Sequence, residues 1–275
     1  MITVAAVTGI DHDGDSPSHR AVSFLDRWKG RGDVPPSSTS RSESGLVRLF
    51  EAHAGRSLEK RMAFEGLLEA AGGPASVAFD ECVVVTKSGQ RLRVQAVGAD
   101  MDNRAAFMWG WSPSFQGLPA AMTRSASRLA SAGRSIKVSE LTADVVPLLR
   151  MPGHVAAMIA CGLLGADGWH SLPLGDGSLW VTIDAGQVPI ARPDALAVSK
   201  LGIALTTLLS DFAFDPIRAF AAYAESWGFA VQPVAGGVEA RISPRETASA
   251  IVTPPLPALG LPHGAKGYAF PVRIG

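Results

Sequence analysis

Apolar residues recur four apart from Leu46. Leu46, Phe50, Ala54 and Leu58 line one side, Phe64, Leu67 and Leu68 continue it, and Gly72-Gly73-Pro74 closes it, so the spacing predicts an amphipathic helix with its stop. The period then falls to two. Val77 to Val85, Arg91 to Val97 and Ala105 to Ser112 read as a three-strand meander, and in its second strand Arg91, Arg93 and Gln95 alternate with Leu92, Val94 and Ala96, the pattern of a half-buried strand. In the third, Phe107, Trp109 and Trp111 fall on one face. Pro119 opens a helix through Met122, Ala126 and Leu129 that stops at Gly133. A short helix is expected within Val138 to Leu149, and a mostly apolar, buried one over Gly153 to Leu164.

Beyond this the strands come in pairs. Trp169 to Leu174 and Leu179 to Asp184 flank Asp176-Gly177, a strong two-residue hairpin signal. Pro193 heads a further helix, Asp215-Pro216 supplies the cap and first turn of another ending at Trp227-Gly228, and Phe229 to Gln232 with Val238 to Ile242 form a hairpin around Gly236-Gly237. Hairpins separated by helices predict an α+β fold, an antiparallel sheet covered by helices, rather than a parallel βαβ fold. Residues 11–45 are rich in Asp, Ser, Pro, Gly and Arg, with a small Val22, Phe24, Leu25, Trp28 cluster, and residues 1–45 read as an extension to a single domain over 46–243. Residues 244–275 read as a Pro- and Gly-rich tail in which alternating Tyr268, Phe270 and Val272 allow an edge strand.

Composition narrows the function classes. Hydrophobic residues make up 47% and charged residues 18%, a globular balance, and 25 basic against 25 acidic residues leave no overall field for nucleic acid or an anionic membrane. Arg outnumbers Lys by 19 to 6 and Asn103 is the sole asparagine, a bias expected of a GC-rich bacterial genome. The apolar start Met1 to Ile10 is too short for a signal peptide, and the longest apolar helix candidate, Ala195 to Leu209, carries Lys200 and falls short of the roughly 20 residues a membrane span needs. A soluble, cytoplasmic protein is expected. Cys82 and Cys161 are too few for a disulfide framework or a thiolate metal site. Asp11, Asp13 and Asp15 open like a calcium loop, but Ser16 and Val22 stand where its Gly and Glu belong. With no dinucleotide fingerprint, Walker A loop or nucleophile elbow, neither metal nor cofactor is expected.

What remains is a set of polar groups in apolar places. A turn at Ser88-Gly89 pairs Val85 with Leu92, Val83 with Val94 and Glu81 with Ala96, which sets Glu81 on the apolar face as a candidate acid or base. A three-residue turn instead groups Glu81 with Arg91, Arg93 and Gln95 as an ordinary cross-strand pair. In the second hairpin Trp169, Ser171, Pro173, Trp180, Thr182 and Asp184 share a face opposite His170, Leu172, Leu174, Leu179, Val181 and Ile183, with Trp169 set against Asp184. Indoles with a few convergent polar groups are the recipe for a pocket. The candidate acid–base residues are thus Glu81, His170 and Asp184. The candidate ligand-binding residues are Trp109, Trp111, Trp169 and Trp180, with Arg124, four residues from Arg128 on one helix face, as an anion clamp.

The run Val94-Gln95-Ala96-Val97-Gly98, then Phe107-Met108-Trp109-Gly110-Trp111-Ser112, then a Pro119 helix ending at Gly133, then Gly165-Ala166-Asp167-Gly168-Trp169, resembles a bacterial family of unknown function numbered six-eight-eight-two, over about residues 46 to 242. The resemblance implies a compact α+β domain and carries no activity. The family strand reads Trp-x-Trp-Ala-Asn; here Ser112 and Pro113 replace its last two residues. Two functions follow as expectations. One is binding, or cofactor-independent cyclisation, isomerisation or hydrolysis, of a small, partly apolar molecule in a tryptophan-lined pocket. The other is a protein-interaction module whose terminal extensions dock a partner and whose tryptophans are core.

Overall fold

A computed structural model describes residues 44–101, 105–113, 115, 118–175, 177–253 and 267–274. The expectations that fall on residues 1–43, on the Asp176 turn and on 254–266 lie outside the described residues.

Helix α1 (Gly45–Ala70) starts at Ser44, whose side chain accepts a hydrogen bond from the Val47 N–H, and buries Leu46, Val47, Phe50, Ala54 and Phe64. Strands β1 (Pro74–Ala78), β2 (Val83–Thr86), β3 (Arg91–Met101), β4 (Ala106–Trp109) and β5 (Val145–Pro147) follow one another across an antiparallel sheet. On the other edge of β3 lies β7 (Gly177–Ile183), paired in turn with β6 (Gly168–Leu174). Helix α2 (Ala120–Ile136) and helix α3 (Gly153–Leu164) pack on this sheet. Where a short helix is expected after Val138, the chain makes a 3-10 turn at Ser139–Leu141 and then β5.

Helix α4 (Ala195–Thr207) and helix α5 (Pro216–Ser226), the second capped by Asp215, lead to a second antiparallel sheet: β8 (Ala230–Val234), β9 (Gly237–Ser243), β10 (Glu246–Thr253), β11 (Gly267–Ala269) and β12 (Val272–Ile274). The architecture is α+β with antiparallel sheets. The sheet runs on past residue 243, because β10 pairs β9 along one side and both β11 and β12 along the other. Its inward side chains, Ala248 and Ala250, are small enough for α4 to lie close, and for the same reason they give little hydrophobic signal.

Of the two registers expected for the first hairpin the structure has the three-residue one, and the later hairpin differs from expectation. The β2–β3 turn has three residues, closed by the Thr86 N–H donating to Gln90 O, with Gly89 at φ 84°; Val85 therefore faces Arg91, Val84 faces Leu92 and Val83 faces Arg93. The expected first strand is also broken, with Glu81 in the turn between β1 and β2 and Cys82 at φ 55°. In the β6–β7 hairpin the faces are as expected but the pairing is shifted by two residues: Trp169 faces Thr182, Ser171 faces Trp180 and Leu174 faces Gly177.

A bulge in β3 sets up everything that follows. Ala96 pairs Val181 and Gly98 pairs Trp180, so Val97 is the extra residue and the alternation of sides is reset there. Leu92, Val94, Ala96, Ala99 and Met101 join one buried cluster with Leu172, Val181 and Ile183, while Val97 joins the other with Phe107, Trp109 and Trp169.

Candidate functional site

Gly98 pairs with Trp109 on β4 and with Trp180 on β7, so two tryptophans flank a glycine in one row of the sheet, and α3 packs on β3 and β7. Two of the four hairpin tryptophans are structural in their contacts. Trp109 has no exposed surface, stacks edge-on against Phe107 and donates its Nε1–H to Glu140 O at 2.8 Å. Trp169 is 1% exposed and donates to Ser57 O at 3.0 Å, with the Arg61 guanidinium 4.3 Å above its ring.

Trp180 is different. It is half-buried, lies 5.8 Å from the Trp169 ring and donates its Nε1–H to Asp100 Oδ2 at 2.8 Å, while Asp100 Oδ1 accepts from the Ser178 N–H at 2.9 Å. Asp100 reaches this face because the Val97 bulge resets the strand's alternation. Gly153, the first residue of α3, has no side chain to keep the helix off: a Cβ there would press into Trp180 Nε1 and Asp100 Oδ2. The next residue, His154, puts its ring 6.5 Å from that of Trp180, and its Nε2 is shielded from water with no hydrogen-bond partner. Trp111, in the turn after β4, also has a buried Nε1–H without a partner.

A buried polar atom left unpaired costs about 1–3 kcal/mol, so such atoms are few and each calls for a reason. Burial lowers the pKa of His154; nearby Asp211 opposes this and Arg61 adds to it, so the ring is neutral at neutral pH. A neutral imidazole Nε2 accepts a hydrogen bond or donates one according to tautomer. With the Trp180 ring 6.5 Å from its own, it suits a molecule with one polar group on an apolar body.

The expected acid–base residues do not meet here. Glu81 is on the surface, its side chain 60% exposed and paired with Arg91, which removes the buried-acid reading; the three-residue turn is the cause. Asp184 follows the far end of β7 from Trp180, with its carboxylate 4.0 Å from Arg93 and not opposite Trp169. Arg124 is exposed on α2, and the charges of Asp184 and Arg124 both act on Cys82 at that end of the sheet, not at Trp180. His170 packs edge-on against Phe64 of α1 on the opposite sheet face from Trp180, and burial, then Arg61, lowers its pKa, with Glu65 opposing.

Two other acids, half-buried Glu59 and buried Glu51, hold elements together. Glu59 accepts from Tyr223 OH at 2.7 Å, from Trp227 Nε1–H at 3.1 Å and from Arg56, tying α1 to α5. Glu51 accepts from the Asp215 N–H at 2.8 Å at the start of α5. Among the described residues no three of His, Cys, Asp and Glu stand together as a metal site, and no helix is long and apolar enough to cross a membrane.

His53, His154 and His170 all have pKa values lowered from 6.5 by burial. A histidine whose folded pKa is depressed contributes stability that is whole above 6.5 and is lost as the pH falls towards the folded value, because the unfolded chain takes up the proton first. The melting temperature, followed by calorimetry from neutral pH downwards, should fall below pH 6.5, and His154→Phe should flatten part of that fall.

Sequence reasoning missed Asp100, His154 and Gly153 as one group. Asp100 lies beyond the expected end of its strand, and the spacing of His154, Met158 and Cys161 reads as helix packing. The family model described as "Family of unknown function (DUF6882)" matches residues 47–186, half of the chain, from α1 to just past β7. No curated protein and no solved structure matches.

Proposed function

For a chain that belongs to a family of unknown function, DUF6882, we propose a binding role: the protein takes a small, partly apolar molecule at the edge of the Trp180 ring, with its polar group hydrogen-bonded to His154 Nε2. The carrying observation is the water-shielded, unpartnered Nε2 beside a half-buried indole. Asp100 supports the reading as a positioning residue, since it accepts the Trp180 N–H and so fixes how the ring is presented. Conversion of the molecule is not part of the proposal, because Glu81, His170 and Asp184 stand elsewhere.

The test is a thermal-shift screen with phenol, indole and benzamide, which pair one polar group with a flat apolar body. A probe at 100 times its Kd stabilises the folded protein by about 2.7 kcal/mol. At least one should raise the melting temperature of the wild type and lose that effect in folded His154→Phe. Equal responses from both proteins would remove His154 from the site.

A second reading, the interaction module, draws on α4, which leaves Leu196 and Ile203 more than half exposed along one side. It requires a partner that co-purifies with His154→Phe and is lost when Leu196 and Ile203 are changed to lysine.

A further inference from the structure

Helix α2 contains no Asp or Glu, although the chain as a whole is balanced at 25 of each sign. It buries Met122, Ala126, Leu129 and Gly133, and turns Arg124, Arg128 and Arg134 to solvent, with exposed Lys137 immediately after it. Among the described residues, no carboxylate lies within ion-pair distance of any of these four cations. Arg134 and Lys137 suit the helix's C-terminal end, but Arg124, near its N-terminal end, faces the unfavourable pole of the dipole. The solvent side of α2 and the residue after it therefore carry four basic side chains without an ion-pair partner among the described residues.

The chain preceding the described structure begins near the C-terminal end of α2. A Cβ built on Gly45, the first residue of α1, would stand 3.1 Å from Val138 Cγ2, and Val138 directly follows Lys137. Up to residue 19 the only charged side chains other than histidine are Asp11, Asp13 and Asp15, and the first basic residue is Arg20. A helix of this length is about 25 Å long. The chain from Asp15 to Ser44 can extend several times that distance.

We propose that the acidic segment Asp11–Asp15 docks on the outer face of α2 of its own chain, paired with Arg124, Arg128 and Lys137. Each exposed pair alone is weak; the tether favours their sum by holding the partners at an effective concentration on the order of millimolar. The interaction is screened once the Debye length falls to about 3 Å at 1 M salt.

A zero-length carbodiimide, which joins carboxylates to amines, tests this on the full chain. In an equal mixture of ¹⁴N- and ¹⁵N-labelled protein at low ionic strength, mass spectrometry should find Asp11, Asp13 or Asp15 joined to Lys137 within single chains. The link should disappear at high salt and in Arg124→Glu/Arg128→Glu protein. It should return, between the new amines and the new carboxylates, when those changes are combined with Asp11→Lys, Asp13→Lys and Asp15→Lys. Circular dichroism of each variant establishes folding, and the charge swap keeps the test valid should either half alone misfold. Absence of the link at low salt overturns the proposal. So do links of mixed isotope, which place the segment on another copy, or a link that survives Arg124→Glu/Arg128→Glu.

Discussion

Trp109→Ala is expected to cost about 3–5 kcal/mol, the range for removing a large aromatic from a core that only partly collapses. Trp109 has no exposed surface, and its Nε1–H is the donor for Glu140 O, so truncation leaves both a cavity and a buried carbonyl that has lost its partner. Through that carbonyl it is joined to Glu140, whose carboxylate is held by Arg150 at 2.8 Å and by Ser139 Oγ at 3.0 Å. Calorimetry should show a fall in Tm of roughly 6–20 °C for a domain of this size. A loss below about 1 kcal/mol would mean that the ring is not core.

Gly98→Ala should also be strongly destabilising, by about 1–3 kcal/mol or more, because overpacking against backbone cannot be relieved by a rotamer change. A Cβ at Gly98 would be driven into Met108 O and Phe107 Cζ, closer than such atoms approach, and the β3–β4 pairing would have to open. Gly66, on exposed helix surface with open space around its Cβ position, provides the contrast: Gly66→Ala should stabilise α1 by up to about 1 kcal/mol. Urea unfolding of the two variants decides this. Equal midpoints would show that the close approach at Gly98 is not enforced.

Much of the fold is legible because it depends on periodicity. The Leu46–Phe50–Ala54 spacing, the buried run in Gly153 to Leu164 and the alternation of His170, Leu172 and Leu174 against Trp169 and Ser171 each report one side of an element, and the structure keeps those sides. Register is another matter. One residue more in the Thr86–Gln90 turn moved Glu81 from the apolar face to an ion pair with Arg91, and nothing in the run Lys87-Ser88-Gly89 distinguishes a two-residue turn from a three-residue one. Strand β10 escaped because Ala248 and Ala250 bury little apolar surface and because Glu246 and Thr247 resemble a polar tail.

The candidate site was hidden by a single inserted residue. Counted in twos from Leu92, Asp100 belongs with Val94 and Ala96; the bulge at Val97 turns it to the Trp180 side instead. His154 was visible as a residue, but its lack of a partner depends on what Gly153 and Trp180 leave around it, which only coordinates supply.

The most direct measurement is the ¹⁵N resonance of His154 Nε2 during titration with phenol, indole and benzamide at neutral pH. The proposal predicts that one of them moves that resonance saturably, by the shift of a neutral imidazole nitrogen gaining a hydrogen bond, while the ring stays unprotonated. A resonance that stays in place at every concentration, in a folded protein, would contradict it.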